Sequence, residues 1–196
     1  MDLWAGSVGE RFFPEHEVAT PQVERITLHV GIASSPFYEN RPLRLFVLLS
    51  ILAARERLWI ATPYFVPDEA TRSALRDRAE AGVDVRLLLP GEHTDTHLVR
   101  LTSRGFYGNL LRAGVRIFEY EPTMMHSKDV VVDGQWSIAG SLNMDIRSQA
   151  LNEENVLGIL DDDFARELDE TFLRDLDRSE RRSTSRPGRA AGARGP

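Results

Sequence analysis

The fold of this chain is decided by the stretch HSKDVVVDGQWSIAGSLN, which runs from His126 to Asn143. Two runs of strand-like composition, 126–132 and 135–139, flank the dipeptide Asp133-Gly134. An Asp-Gly pair between two such runs is a strong signal for a two-residue β-hairpin, because both residues tolerate the positive φ angles that the turn requires. The stretch therefore predicts two antiparallel strands joined by a tight turn.

The hairpin also predicts where the polar side chains of this stretch meet. With Asp133-Gly134 as the loop, counting back along both strands places His126 opposite Ser141. Side chains two apart share a face of a strand, and directly facing residues share it too. We therefore expect His126, Lys128, Ser141 and Asn143 to gather on one side of the hairpin. A bulge or a longer turn would shift this register.

Upstream of the hairpin, helical and strand-like periodicities alternate. The predicted elements are a helix over 43–54, a strand over 58–61, a helix from about 68 to 82, a strand over 83–89, a helix over 95–113 and a strand over 115–120. Downstream, 155–160 predicts a strand, and Asp161 opens an acidic-capped helix that ends near Arg178. This order predicts an α/β fold with a mixed, largely parallel sheet flanked by helices.

Composition divides the chain into three parts. Residues 1–40 are interrupted by prolines and predict an irregular connecting segment with one strand-like stretch at 26–30. Residues 41–178 carry the regular periodicity and predict one compact unit. Residues 179–196 are rich in Arg, Gly and Pro and predict a disordered, solvated tail, with contact to anionic lipid headgroups as the less favoured alternative.

Charge and residue content limit the classes of function. The stretch from Arg178 to Pro196 carries six arginines and one glutamate, a net charge of +5, which leaves −11 on the preceding 177 residues. An acidic body argues against nucleic acid as a partner, since that binding depends on neutralising phosphates. The chain has no cysteine, so disulfides and thiolate metal sites are excluded. Its longest apolar run, Leu45 to Ala54, is far shorter than the ~20 residues that cross a bilayer.

The spacing of the polar residues resembles the HxKxxxxD…GSxN signature of the phospholipase D superfamily. In this sequence the positions are His126, Lys128, Asp133, Gly140, Ser141 and Asn143. The resemblance implies phosphodiester chemistry in which His126 attacks phosphorus and forms a covalent phosphohistidine. It implies that Lys128, Ser141 and Asn143 bind the phosphate oxygens. No cofactor or metal is required; His93 and His97 have an i, i+4 spacing, but we interpret them as surface or helix-capping residues.

Three further residues have expected supporting roles. Family members place a glutamate shortly after GSxN to hold the nucleophilic histidine, and Glu154 aligns with it. Asp133 lies about 23 Å from His126 along an extended strand, so we expect it to shape the turn and not to touch substrate. Gly140 is expected to be a structural member of the motif.

Other strings are similar to those of bacterial cardiolipin synthases. They are TPYFVPD at 62–68, AGVRIFEY at 113–120 and NMDIRS at 143–148. Gln149 and Glu153 depart from the family pattern, which affects packing beside the site more than the chemistry. Residues 41–178 would then be one phospholipase D-like catalytic half-domain, the second half of such an enzyme. The implied reaction is phosphatidyl transfer between two phosphatidylglycerol molecules at a membrane surface. The implied location is the cytoplasm or the periphery of the bacterial inner membrane.

The motif occurs once in this sequence, whereas the resemblance implies a site built from two motifs, in which the second histidine protonates the leaving oxygen. Three arrangements remain open at this point. The chain forms a homodimer, pairs with a separate motif-bearing half, or is an inactive truncated half. The acceptor is open as well, because water would give a phospholipase D-like hydrolase and a nucleic-acid phosphodiester would give a nuclease.

Overall fold

The computed structural model describes residues 27–34, 42–145 and 152–184. The strands are β1 (Leu28–Ser34), β2 (Arg57–Ala61), β3 (Phe65–Val66), β4 (Asp84–Pro90), β5 (Arg116–Tyr120), β6 (Asp129–Val132), β7 (Trp136–Gly140), β8 (Met144–Asp145), β9 (Glu154–Leu160) and β10 (Ser179–Arg181). The helices are α1 (Pro42–Ala53), α2 (Glu69–Glu80), α3 (His97–Arg112) and α4 (Asp162–Leu176). The predicted helices and strands from α1 to α4 agree with these bounds to within a few residues at most ends, whereas the two-residue strands β3 and β8 were not predicted.

Within the described residues, the main sheet has eight strands in the order β1-β9-β7-β6-β2-β4-β5-β10. The pairs β2-β4 and β4-β5 are parallel, and the other neighbouring pairs are antiparallel. The predicted class, an α/β fold with a mixed sheet between helices, is confirmed. The parallel part is smaller than predicted. The β6–β7 hairpin pairs antiparallel with β2, and the next strands in the sheet, β9 and β1, also pair antiparallel.

The two faces of the sheet are covered unequally. One core lies between the sheet and α1, α2 and α3, and its members include Leu43, Ile51, Leu75, Leu87, Leu110, Val130, Ile138 and Val156. The smaller core under α4 contains Trp59 and Phe172, whose rings stack with centroids 5.3 Å apart. Alternation along the strands sends successive side chains to these two layers, so a residue's place in the alternation decides which layer it joins.

The hairpin forms as predicted in type but not in register. Asp133 and Gly134 have positive φ angles of 52° and 70°, and the N–H of Gln135 donates to the carbonyl of Val132 at 3.1 Å. However, Val132 pairs with Trp136, which leaves Gln135 in the loop as an extra residue. Gln135 is held from outside the hairpin. Its carbonyl accepts the N–H of Asp161, the N-cap residue of α4, at 3.0 Å.

This shift corrects the predicted meeting of His126 and Ser141. β6 begins only at Asp129, so His126 and Lys128 lie in the segment before the strand and not in a paired position opposite β7. Lys128 still precedes Val130 by two residues and lines the same small cavity as Val130. The hairpin alone therefore does not bring the motif residues together. Ser141, after the end of β7, meets Glu154 at the start of β9.

Asp133 connects the turn to the loop between α1 and β2. Its carboxylate accepts backbone N–H groups from Arg55 at 3.0 Å, Glu56 at 2.8 Å and Arg57 at 2.9 Å. Partial burial acts to raise the pKa of Asp133, but the hydrogen bonds from these N–H groups outweigh it and lower the pKa. The contacts support the structural role proposed for Asp133.

The sheet extends past the compact unit that the sequence predicted at 41–178. β1 overlaps the strand-like stretch predicted at 26–30 within the irregular segment, and it pairs along β9 from Leu28 to Ser34. β10 lies within the expected tail, where it pairs with β5 and the N–H of Arg182 donates to the carbonyl of Ile117 at 2.9 Å. Open edges of a sheet offer unpaired backbone groups, which explains why short segments outside the periodic region join it.

Gly140 stands where the backbone of β7 packs tightly against that of β9. A Cβ atom at this position would lie 2.2 Å from the carbonyl oxygen of Asn155 and 2.8 Å from the Cα of Val156. Both neighbours are backbone atoms and are held by the register Gly140↔Val156, so neither can move without disturbing the sheet. The glycine of the motif is therefore required by packing between two backbones.

We predict that Asp133→Ala lowers the free energy of unfolding by about 1–2 kcal/mol, because three N–H groups lose a charged acceptor. Asp133→Asn keeps an acceptor oxygen and should lose less. Since folding lowers the pKa of Asp133, its charge stabilises the fold above the pKa of the unfolded state and this contribution disappears as pH falls through the folded value. Urea titrations from neutral to acidic pH should show a flatter pH dependence for Asp133→Asn than for the wild type, and equal slopes would contradict the assignment.

We predict that Gly140→Ala destabilises the protein by about 3 kcal/mol, because the added methyl group collides with the backbone of β9. Gly31→Ala is the matched control, since Gly31 also lies in a strand and a Cβ there meets no atom within 4 Å. Thermal unfolding should show a large loss for the first variant and almost none for the second. A Gly140→Ala protein as stable as the control would show that β7 and β9 can separate.

Candidate active site

His126 and Lys128 form the first part of the candidate site. His126 is exposed, and the amino group of Lys128 donates to its backbone carbonyl at 3.0 Å. Burial lowers the pKa of Lys128, and the negative charges of Glu154 and Asp129 oppose this shift only in part. The site thus holds an accessible imidazole beside a partly desolvated cation.

The second part of the candidate site is centred on Glu154, the first residue of β9, which is only 4% exposed. The hydroxyl of Ser141 donates to its carboxylate at 2.5 Å, and the side-chain amide of Asn152 donates to it at 3.4 Å. Ser141 is also fixed to Asn155, whose N–H donates to the serine oxygen at 3.0 Å and whose carbonyl accepts the serine N–H at 2.9 Å. A buried carboxylate with several donors is held in one orientation.

Lys128 and Glu154 lie on the same face of the sheet. Glu154 precedes Val156 by two residues, and Val156 lines the small cavity that the side chain of Lys128 also lines. Val47 of α1 lines this cavity too, so both polar residues belong to the layer under α1. Lys128 belongs to the first half of the motif, and Glu154 binds Ser141 of the second half. The charge of Glu154 acts on Lys128, so the two halves of the motif are neighbours in the fold.

Asn143 is buried at the end of the motif, and the next residues connect it to the segment after β2. Met144 pairs with Phe65 in a two-stranded parallel sheet, β3-β8. The hydroxyl of Thr62 accepts the N–H of Met144 at 3.3 Å and donates to the carbonyl of Tyr64 at 3.2 Å. The strings at 62–68 and 143–148, distant in sequence, thus form one structural unit under the site, although residues 146–148 lie outside the described residues.

Tyr64 is a site residue that the sequence analysis did not single out. Its ring meets the His126 ring edge-on, with centroids 6.3 Å apart and an interplanar angle of 85°. Its hydroxyl donates to the carboxylate of Asp95 at 2.5 Å, and burial together with Asp95 raises the pKa of Tyr64. The sequence carries only weak signals for this contact, since Tyr64 lies inside the string at 62–68 and Asp95 lies between His93 and His97.

A group of carboxylates elsewhere in the described residues has the spacing of a cation site. Glu119, Glu121 and Glu180 place their ligand atoms within 4.8 Å of one another. Glu119 is fully buried, and the guanidinium groups of Arg104 and Arg100 overcome its burial and lower its pKa. Arginines already neutralise this cluster, so it serves the β5-β10 edge as an ion-pair network.

The candidate site has several of the groups that phosphodiester chemistry uses. An imidazole reachable from solvent can act as a nucleophile near neutral pH. A partly desolvated ammonium with nearby hydroxyl and amide groups can stabilise charge on non-bridging oxygens. Lys128, Ser141 and Asn143 provide these groups within two short segments that β9 holds together.

Comparison with known proteins places this arrangement in a family. The family model described as cardiolipin synthase, PLD-like domain, matches residues 47–176. Cardiolipin synthase A of Yersinia pseudotuberculosis serotype O:1b (strain IP 31758) is 41% identical over 168 residues, which are 84% of this chain and 34% of that protein. The chain therefore spans about a third of the length of the curated relatives it matches.

Solved structures share the fold at low sequence identity. The phospholipase D family member Nuc from Salmonella typhimurium superposes with a TM-score of 0.69 at 19% identity, covering 81% of this chain and 99% of that one. Phosphatidylserine synthase from Haemophilus influenzae Rd KW20 gives a TM-score of 0.62 at 19% identity, covering 80% of this chain and 40% of that one. Because the family model covers well over half of the chain and the fold agrees with it, the chain belongs to the family of cardiolipin synthase phospholipase D-like domains.

Proposed function

We propose that this chain provides one half of the active site of a phosphatidyltransferase. In the proposed reaction the phosphatidyl group passes from one phosphatidylglycerol to a hydroxyl of another, giving cardiolipin and glycerol. The observation that carries the proposal is the exposed His126 beside the partly desolvated Lys128, in a domain of the cardiolipin synthase family. The relatives named cardiolipin synthase A support the choice of lipid over other phosphodiesters.

The proposed chemistry has two displacements. First, an imidazole nitrogen of His126 attacks the phosphorus of phosphatidylglycerol. The bond from phosphorus to the oxygen of the headgroup glycerol breaks, and the phosphatidyl group stays on His126. The leaving oxygen takes a proton from the histidine of a second motif, a form of help worth ~10²–10⁴-fold in rate. A hydroxyl of the second phosphatidylglycerol then attacks the phosphohistidine, returns a proton to that second histidine and frees His126.

The other site residues have distinct proposed tasks. Lys128, Ser141 and Asn143 hold the non-bridging oxygens, where negative charge must be accommodated in each transition state. Glu154 accepts the ring N–H of His126 and keeps the attacking nitrogen free of a proton. Its burial on the sheet face of Lys128 supports this task, because a carboxylate fixed by Ser141 and Asn152 has little freedom to turn away.

We also propose that the chain works at the periphery of a membrane. Leu98 and Leu101, in the first turns of α3, are 74% and 65% exposed. They follow Asp95 along the chain, and Asp95 is bonded to Tyr64, whose ring contacts that of His126. None of the helices among the described residues combines the length and hydrophobicity needed to cross a bilayer. Insertion of these leucines at the lipid interface would bring phosphatidylglycerol to the motif.

We predict that His126→Ala abolishes formation of cardiolipin from phosphatidylglycerol vesicles, with a loss of at least ~10³-fold because the covalent step disappears. His29→Ala is the control, since His29 is an exposed histidine on β1. Native mass spectrometry of the same samples reports whether the active species is a monomer or an assembly. Wild-type protein that cleaves an oligonucleotide and leaves the lipid unchanged would overturn the assignment, as would full turnover by His126→Ala.

We predict that the double variant Leu98→Ser/Leu101→Ser binds phosphatidylglycerol vesicles about tenfold or more weakly than the wild type, because two large apolar side chains no longer leave water. Leu173→Ser is the matched control, as Leu173 is an exposed leucine on α4, on the other side of the sheet. Vesicle co-sedimentation measures this binding without requiring turnover. Equal binding by the three proteins would place the membrane contact elsewhere.

A further inference from the structure

His126 lies just before β6 and outside every strand pair of the described residues. β6 begins only at Asp129, and the side chain of His126 is exposed. An exposed side chain changes rotamer readily in solution, whereas a nucleophile reacts only from a narrow range of orientations. The proposed attack on phosphorus therefore requires a contact that fixes the imidazole ring.

The ring of Tyr64 provides such a contact. It meets the His126 ring edge-on, with centroids 6.3 Å apart, which is within the range of aromatic pairs that attract each other. A ring contact restricts the imidazole without adding a charge beside it. Burial, together with Asp95, raises the pKa of Tyr64 and keeps its hydroxyl protonated at neutral pH.

The backbone of Tyr64 is held by its neighbours. Its carbonyl accepts the hydroxyl of Thr62 at 3.2 Å, and the oxygen of that hydroxyl accepts the N–H of Met144 in β8 at 3.3 Å. Phe65, the next residue, is 1% exposed, and its carbonyl accepts the hydroxyl of Ser103 in α3 at 2.7 Å. Rotation about its side-chain bonds is therefore the main freedom left to Tyr64.

The hydroxyl of Tyr64 removes most of that freedom. It donates to the carboxylate of Asp95 at 2.5 Å, and it is also hydrogen-bonded to the hydroxyl of Thr96. A hydrogen bond to a charged acceptor is stronger than one between neutral groups. Asp95 directly precedes Thr96, the N-cap residue of α3, so the far end of the Tyr64 side chain is attached to the start of a helix. The ring that contacts His126 lies between two fixed ends.

We propose that Tyr64 is a positioning residue, whose ring, held by the bond to Asp95, keeps the imidazole of His126 oriented for attack on phosphorus. The catalytic consequence rests on the function proposed above; the fixed orientation of the ring does not. Tyr64 acts through His126, so it contributes to the rate of the displacement and not to the binding of lipid. Asp95 acts through the hydroxyl that it accepts, and its acceptor oxygen matters more than its charge.

The orientation is tested by carbon relaxation of the histidine rings in the full chain. The signal of His126 is identified by its absence in His126→Gln. The ring should be rigid in the wild type, and Tyr64→Leu should lower its order parameter below about 0.6, the range of flexible groups. Circular dichroism checks that the variant is folded. A ring that stays rigid in Tyr64→Leu, or that is already mobile in the wild type, would overturn the proposal.

The bond to Asp95 is tested by variants that keep an aromatic ring at position 64. Tyr64→Phe removes the donor and Asp95→Ala removes the acceptor, so each should mobilise the His126 ring to a similar extent, and the double variant should add little to either. Asp95→Asn keeps an acceptor oxygen and should resemble the wild type. Tyr107→Phe is the matched control, because it also removes a hydroxyl that donates to a carboxylate, that of Glu119 at 3.2 Å.

Two results would contradict the role of this bond. Effects that add in full in the double variant would show that Asp95 and Tyr64 act independently. An Asp95→Asn protein as mobile at His126 as Asp95→Ala would show that the charge of Asp95 matters and the hydrogen bond does not.

Turnover separates positioning from binding. With phosphatidylglycerol vesicles, Tyr64→Phe should lower kcat about tenfold and Tyr64→Leu about 100-fold, the loss expected when a reacting group is misplaced by about 1 Å, while KM stays unchanged. A raised KM at unchanged kcat would make Tyr64 a lipid contact and overturn the proposal. Absence of cardiolipin formation in every protein, the wild type included, would contradict the proposed function, and the relaxation measurement, which needs no turnover, would still decide whether Tyr64 fixes the ring.

Discussion

The site depends on the contact between the end of β7 and the start of β9. Gly140 lets the two backbones approach, and Ser141 then bonds to both Glu154 and Asn155. Without that approach the serine, the buried carboxylate and the lysine on the same sheet face would not share a location. Gly140 and Ser141 thus have a packing role: they fix the position of β7 against β9. That position places Glu154 beside the other groups of the candidate site.

The motif also contains a member that works at the other end of the sheet. Asp133 accepts the backbone N–H groups of the α1–β2 loop and stands in the turn with a positive φ angle. It fixes where β2 begins relative to the hairpin, and β2 pairs with β6 from Leu58↔Val132 onward. The spacing between Lys128 and Asp133 therefore matches the length of β6, with the candidate site at one end and the α1–β2 loop at the other.

Much of this architecture follows from local sequence signals. The helices, the central strands and the Asp-Gly turn were predicted because periodicity and turn chemistry are local properties. The register was wrong by one residue because Gln135 is held in the loop by the backbone of Asp161, 26 positions away in sequence. β10 was missed, and β1 was predicted only as a strand-like stretch at 26–30, because an edge strand is stabilised by the strand beside it. The contact of Tyr64 with His126 and Asp95 likewise exists only in the folded chain.

Chemistry and packing point to the same incompleteness. A phosphohistidine route needs an acid for the leaving oxygen, and the sequence holds one motif; the layer over the Lys128 face ends in a helix that is apolar on its outer side. Exposed leucine at helical spacing is costly to keep in water, at about 25 cal/mol for each Å², and a single chain gains nothing from it. Both features lie on the side of the sheet that α1 covers, because Val47 of α1 and Lys128 line the same small cavity.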